Sequence, residues 1–169
     1  MTFFLRIMIA AISLCSLAPS ISQAADPQLP IPPLKTKDIK VVLHTNTTSE
    51  KGGINKAVYY VRYLLDHYKR LGIPATEISM SVVFYGDGVL ALFKDETLLA
   101  RMPKKGQGNR SLAVLKELMA AGVSIEACSE TMQLRKMNPS DLLEGVKTVA
   151  GSYVRVVDLQ LQGYAYLKM

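Results

Sequence analysis

From Ile39 onward, short apolar runs of strand period take turns with longer segments of helical period. That alternation confines the chain to a sheet whose strands are joined through helices. Ile39–His44 (IKVVLH) has the character of a buried strand and runs into the polar cluster Thr45-Asn46-Thr47-Thr48. Over Gly53–Leu71 the period changes: Ile54, Ala57, Val58, Val61, Leu64, Leu65, Tyr68 and Leu71 recur at helical spacing, and Gly72 and Pro74 stop the run. Ile78–Tyr85 predicts a second strand, closed by Gly86-Asp87-Gly88, and Val89–Leu99 a short helical piece. Ser111–Ala121 predicts a helix ended by Gly122, and Val123–Ala127 a third strand leading directly into Cys128. A helical stretch over Ser129–Arg135, a strand over Val146–Val149, a helix over Ser152–Gln162 and a fifth strand over Tyr164–Lys168 complete the pattern. Helices of this length between strands imply parallel pairing through right-handed crossovers. The expected architecture is α/β: a doubly wound, mostly parallel five-stranded sheet with helices on both faces.

The amino terminus does not belong to this pattern. Arg6, the apolar run Ile7–Leu17 and the small-residue ending Ser22-Gln23-Ala24 have the form of a secretory leader, residues 1–24. The run is shorter than the roughly 18 residues that span a bilayer, so no stable membrane anchor is expected after cleavage. Residues 25–37 contain Pro27, Pro30, Pro32 and Pro33 and predict an extended linker, leaving 38–169 as the domain. A leader implies a periplasmic or secreted protein. The whole chain carries a net charge of +6, and the leader contains one arginine and no acid, so nineteen basic residues face fourteen acidic ones afterwards, or +5. The small basic knot of Arg101, Lys104, Lys105 and Arg110 lacks an arginine-rich helix or interleaved aromatics, so nucleic acid is not the expected partner.

In parallel α/β sheets, reactive groups gather where strands end at their carboxyl edge. This pattern sends His44, Gly86-Asp87-Gly88 and Cys128 there, each from a different strand. Cys128 is the only cysteine once Cys15 leaves with the leader, so no intrachain disulfide can form. A thiol at the start of a helix favours its thiolate, the nucleophilic form; the alternative is a small buried hydrophobe closing a strand. His44 could orient a substrate or share a proton with Cys128, or simply bond a loop carbonyl. With Gly86, Asp87 and Gly88, the candidate binding residues are Ser129 and Glu130, which open the following helix, where Glu130 either tunes Cys128 or merely occupies the first turn. Two glycines around Asp87 fall short of a nucleotide fingerprint, and a tight turn lining the Cys128 pocket is the expected role. His44, Asp87, Cys128 and Glu130 show no paired ligand spacing, so neither metal nor other cofactor is expected.

GVSIEACSETM (Gly122–Met132), DLLEGVKTV (Asp141–Val149) and LQGYAYLKM (Leu161–Met169) resemble the second half of DsrE/DsrF-like proteins. IKVVLHTN, NKAVYYVRYLLDHY and ISMSVVFYGDGVLAL are similar to that family's opening strand, first helix and second strand. The resemblance implies a flavodoxin-like domain that assembles into homo-trimers or hexamers and works through one cysteine, matched by Cys128. It implies a sulfur carrier or sulfurtransferase-like protein that takes sulfane sulfur as a persulfide on Cys128 from a donor protein or molecule and passes it to an acceptor thiol. The other readings are an oligomeric module binding a small ligand or protein without turnover, and a redox-sensing thiol.

Overall fold

The computed structural model describes residues 31–103 and 106–169. The leader, the first part of the linker and the lysines Lys104 and Lys105 lie outside the described residues. Residues 33–169 form one unit. In chain order its elements are β1 (Ile39–Thr45), a small hairpin of β2 (Glu50–Lys51) and β3 (Ile54–Asn55), α1 (Lys56–Arg70), β4 (Ile78–Phe84), α2 (Asp95–Arg101), α3 (Leu112–Ala120), β5 (Ser124–Cys128), α4 (Ser129–Leu134), β6 (Lys147–Val149), α5 (Ser152–Leu161) and β7 (Ala165–Lys168).

Five strands make one sheet in the order β6-β5-β4-β1-β7, and every pairing in it is parallel. The direction of travel explains how the faces are covered. From β1 through β4 and β5 to β6 the chain steps one way, and right-handed crossovers place the intervening helices on one face. It then returns across the sheet to put β7 beside β1, which places α5 on the opposite face. The α/β architecture with helices on both faces is therefore as the periodicity predicts.

Alternate residues of each strand supply the two cores. On the first face Val41, Leu43, Val82, Phe84, Ile125 and Ala127 meet Val58 and Val61 of α1 and Leu115 and Leu118 of α3. On the second face the core is small: Val42 and Val83 meet Val156 and Leu159 of α5. Around that small core much apolar surface stays open, since Tyr153, Val154, Val157 and Leu161 are all exposed.

Two boundaries differ from the pattern by more than a residue, each for a local reason. α1 starts at Lys56 rather than Gly53, because the Asn55 side chain accepts from the amides of Ala57 (2.9 Å) and Val58 and so caps the helix there. The helical piece expected over Val89–Leu99 is instead a 3-10 segment, Gly86–Leu92, followed by α2. Phe93 interrupts it by forming a bridge with Leu142, while the Asn109 side chain donates to the carbonyls of Ala91 and Phe93, both at 2.8 Å.

Candidate functional site

Cys128 ends β5 and is the N-cap of α4. Ile125 and Ala127 belong to the first-face core, so the alternation turns Ser124, Glu126 and Cys128 towards α5. Cys128 is 2% exposed. As a thiol it makes no N-cap bond. Burial pushes its pKa up, yet this is outweighed by the amide and hydroxyl of Thr131 and the amide and hydroxyl of Ser152, which favour the thiolate. The net result is a thiol held below its ordinary range. The donors come from two directions: Thr131 lies in the first turn of α4, and Ser152 is the first residue of α5.

The neighbouring loops hold these donors in place. The Gly86 amide donates to Thr131 Oγ1 at 3.1 Å, which fixes that oxygen in place and leaves its own proton free to donate. Ser129 Oγ donates to the Ala150 carbonyl at 2.9 Å, tying the start of α4 to the loop that opens α5. Glu126, 1% exposed, receives both Nε (2.8 Å) and Nη2 (3.0 Å) of Arg155 as well as Ser124 Oγ (2.9 Å). That fork clamps α5 onto β5 one turn beyond Ser152.

The other sequence-nominated residues are distributed around this centre. Gly86 has φ of +51° and reaches Cys128 through Thr131. Gly88 is a close-approach position: a Cβ there would fall 2.8 Å from the Asn46 Cα. Its amide donates to the Tyr85 carbonyl, so this is a tight turn with both glycine amides engaged. Asp87 is exposed and pairs with Arg135. Glu130 sits exposed in the first turn of α4 and is not among the groups that shift Cys128. Among the described residues no three His, Cys, Asp or Glu side chains gather as a metal site requires. None of the described helices is long and apolar enough to cross a membrane.

His44 lies on the same face and edge as Cys128, but β4 separates their strands. Its ring stacks on Tyr85 at 4.2 Å and meets Tyr153 edge-on at 5.0 Å. Tyr85 follows Phe84, the register partner of Ala127, and so occupies the row between His44 and Cys128. The thiolate donors are Thr131 and Ser152, not the imidazole. His44 is 4% exposed, and its Nε2 is a buried nitrogen without a hydrogen-bond partner among the described residues. Burial first, and the charge of Lys168 second, lower its pKa. The neutral ring therefore contributes stability that is present above the ordinary histidine value of 6.5 and lost as pH falls through the lower folded value. We expect the urea midpoint of the protein to fall as pH drops from 6.5 towards the lower folded value, and the slope to flatten in His44→Phe; identical slopes for the two proteins would refute the assignment.

Thr131 and Ser152 escaped the sequence reading. Each is a hydroxyl residue in the first turn of a helix near a strand end, a signal of position alone that does not say which thiol it meets.

A model of the DsrE/DsrF-like family matches residues 40–169. Among solved structures, a protein of unknown function from Methanobacterium thermoautotrophicum is 27% identical, with a TM-score of 0.57 over 78% of this chain and 100% of its own. The ychN protein from E. coli, 18% identical, has a similar fold, with a TM-score of 0.57 over 78% of this chain and 99% of its own. No curated protein matches the chain.

Proposed function

The chain belongs to the DsrE/DsrF-like family, and from that premise, which supports a sulfur-relay type of protein in general, we propose a persulfide carrier working through Cys128. The observation that supports this reading most is the place of Cys128 at the junction of β5 and α4, where the amides and hydroxyls of Thr131 and Ser152 favour negative charge on Sγ. In the loading step the Cys128 thiolate attacks the outer sulfur of a persulfide or polysulfide. A bond forms between Sγ and that sulfur, the donor's own sulfur–sulfur bond breaks, and the donor thiolate leaves with the electron pair. In the unloading step an acceptor thiolate attacks the outer sulfur of the Cys128 persulfide, and Cys128 leaves as thiolate. The same donors serve both steps, because Sγ gives up charge in the first and regains it in the second. A lower thiol pKa also makes a better leaving group. With Cys128 2% exposed, the site favours small sulfur donors.

The test is mass spectrometry after exposure to polysulfide or glutathione persulfide. We expect a gain of one sulfur atom, localised to Cys128 and absent from Cys128→Ser. A wild-type thiol inert to both donors, with ligand or partner binding unchanged in Cys128→Ser, would instead establish a binding module without turnover. We further propose that the working form is a homo-oligomer, which would cover the exposed Val154, Val157 and Leu161 of α5. Sedimentation at micromolar concentration should give a trimer or hexamer, and a monomer there would reject the assembly.

A further inference from the structure

On the face of the sheet opposite Cys128 a cavity of about 770 Å³ opens between the β2–β3 hairpin, the 3-10 segment Gly86–Leu92, α2 and the start of α3. Its volume falls within the range of small-molecule sites. Its floor is apolar, formed by Leu90, Ala91, Leu98 and Met102. Its wall is fixed by buried bonds: the Asn55 amide donates to Ser111 Oγ at 3.0 Å, and Asn109 holds the Ala91 and Phe93 carbonyls. The cavity is therefore shaped by the fold before any ligand arrives.

The charges on its rim differ in their engagement. Asp87 pairs with Arg135 and Arg101 with Asp141. Arg110 has no ion-pair or hydrogen-bond partner among the described residues. Its guanidinium lies against Gly53, where a Cβ would fall 2.5 Å from the guanidinium carbon, so the missing side chain at 53 is what lets the cation rest over the hairpin. Gly53 also has φ of +77°, which favours glycine on backbone grounds. An apolar floor beneath one uncommitted guanidinium matches a ligand with an apolar body and a single anionic head.

We propose that this cavity binds an amphipathic organic anion: an aromatic or short acyl body resting on Leu90, Ala91, Leu98 and Met102, with a carboxylate or sulfonate bound by Arg110. This site is separate from Cys128 and independent of the sulfur-carrier reading. The probe is 1-anilinonaphthalene-8-sulfonate, which has both features, titrated into the full chain and followed by fluorescence and by amide chemical shifts. Saturable binding should move the amides of Leu90, Ala91, Leu98 and Met102. Arg110→Gln should weaken it about three- to tenfold, less than a buried charge-assisted bond would give because Arg110 is exposed. Ala91→Phe should displace the probe, and Cys128→Ser should leave its binding unchanged. Arg110 is a surface residue, so its variant tests the proposal even where the cavity-filling variant fails to fold. Binding that is absent, that moves only α5 amides such as Val154 and Val157, or that is equally tight in Arg110→Gln would overturn the proposal.

Discussion

Arg155→Met is expected to destabilise the protein by about 2–4 kcal/mol, somewhat less than the cost of about 3–5 kcal/mol for breaking a fully buried ion pair. The magnitude follows from an asymmetry in the pair. Glu126 has 1% of its side chain exposed, whereas Arg155 has 29%. Removing the guanidinium strands a carboxylate that Ser124 Oγ alone continues to serve. The partly exposed arginine reduces the loss below that of a fully buried pair. The reverse truncation, Glu126→Leu, should cost less, because Arg155 keeps its contact with Asp158 and can reach water. α5 has little else to hold it, since its buried apolar contacts to the sheet come from Val156 and Leu159. The measurement is urea denaturation of the two single variants and of Glu126→Leu combined with Arg155→Met. We expect the double variant to recover part of the loss, as replacing both charges by apolar groups commonly does. Equal midpoints for wild type and Arg155→Met would show that the clamp contributes nothing. Because Ser152 lies one turn before Arg155, the same variant should also slow alkylation of Cys128.

The strands were legible because each carries its own signal. Ile39–His44 and Ile78–Tyr85 are apolar runs bounded by polar or glycine-rich turns, and β1 and β4 fall within one residue of those limits. Cys128 was placed correctly at a strand end because β5 is followed at once by α4. Strand order is a different kind of information. Local periodicity sends His44 and Cys128 to the same edge, but it does not state that β4 lies between them, so a shared site could be expected where Tyr85 intervenes. The thiolate donors were missed for the same reason. Ser152 reaches Cys128 across the loop between β6 and α5, a contact made by tertiary packing and not by any short motif. The break between the 3-10 segment and α2 likewise depends on Leu142 and Asn109, both distant in sequence. Ser129, nominated as a binding residue, turns out to tie the two loops together through Ala150.

The reactivity of Cys128 should fall when the two hydroxyls facing it are removed. In Thr131→Val combined with Ser152→Ala the two backbone amides remain, so two of the four donors are lost. A hydrogen bond to a charged group contributes about 1.5–3 kcal/mol, and one pH unit of titration corresponds to 1.36 kcal/mol. Each lost hydroxyl should therefore raise the inflection of iodoacetamide labelling against pH by about one to two units, and the pair by about two to four. At neutral pH the rate falls less than the thiolate fraction does, because a more basic thiolate is intrinsically more nucleophilic, with a Brønsted slope of about 0.4–0.5. A tenfold loss of thiolate per unit is thus reduced to about threefold, and the double variant should react about ten- to a hundredfold more slowly. Thr131→Ser supplies the control: it keeps both the hydroxyl and the acceptor for the Gly86 amide, so its profile should match wild type. Stability carries the same sign. A thiol whose folded pKa is depressed adds stability above its ordinary range and loses it as pH falls through the folded value, so the variant's deficit should be larger at alkaline than at acid pH. A labelling profile unmoved by the double substitution would mean that the amides alone hold the thiolate. The hydroxyls would then be part of the scaffold and not of the sulfur chemistry.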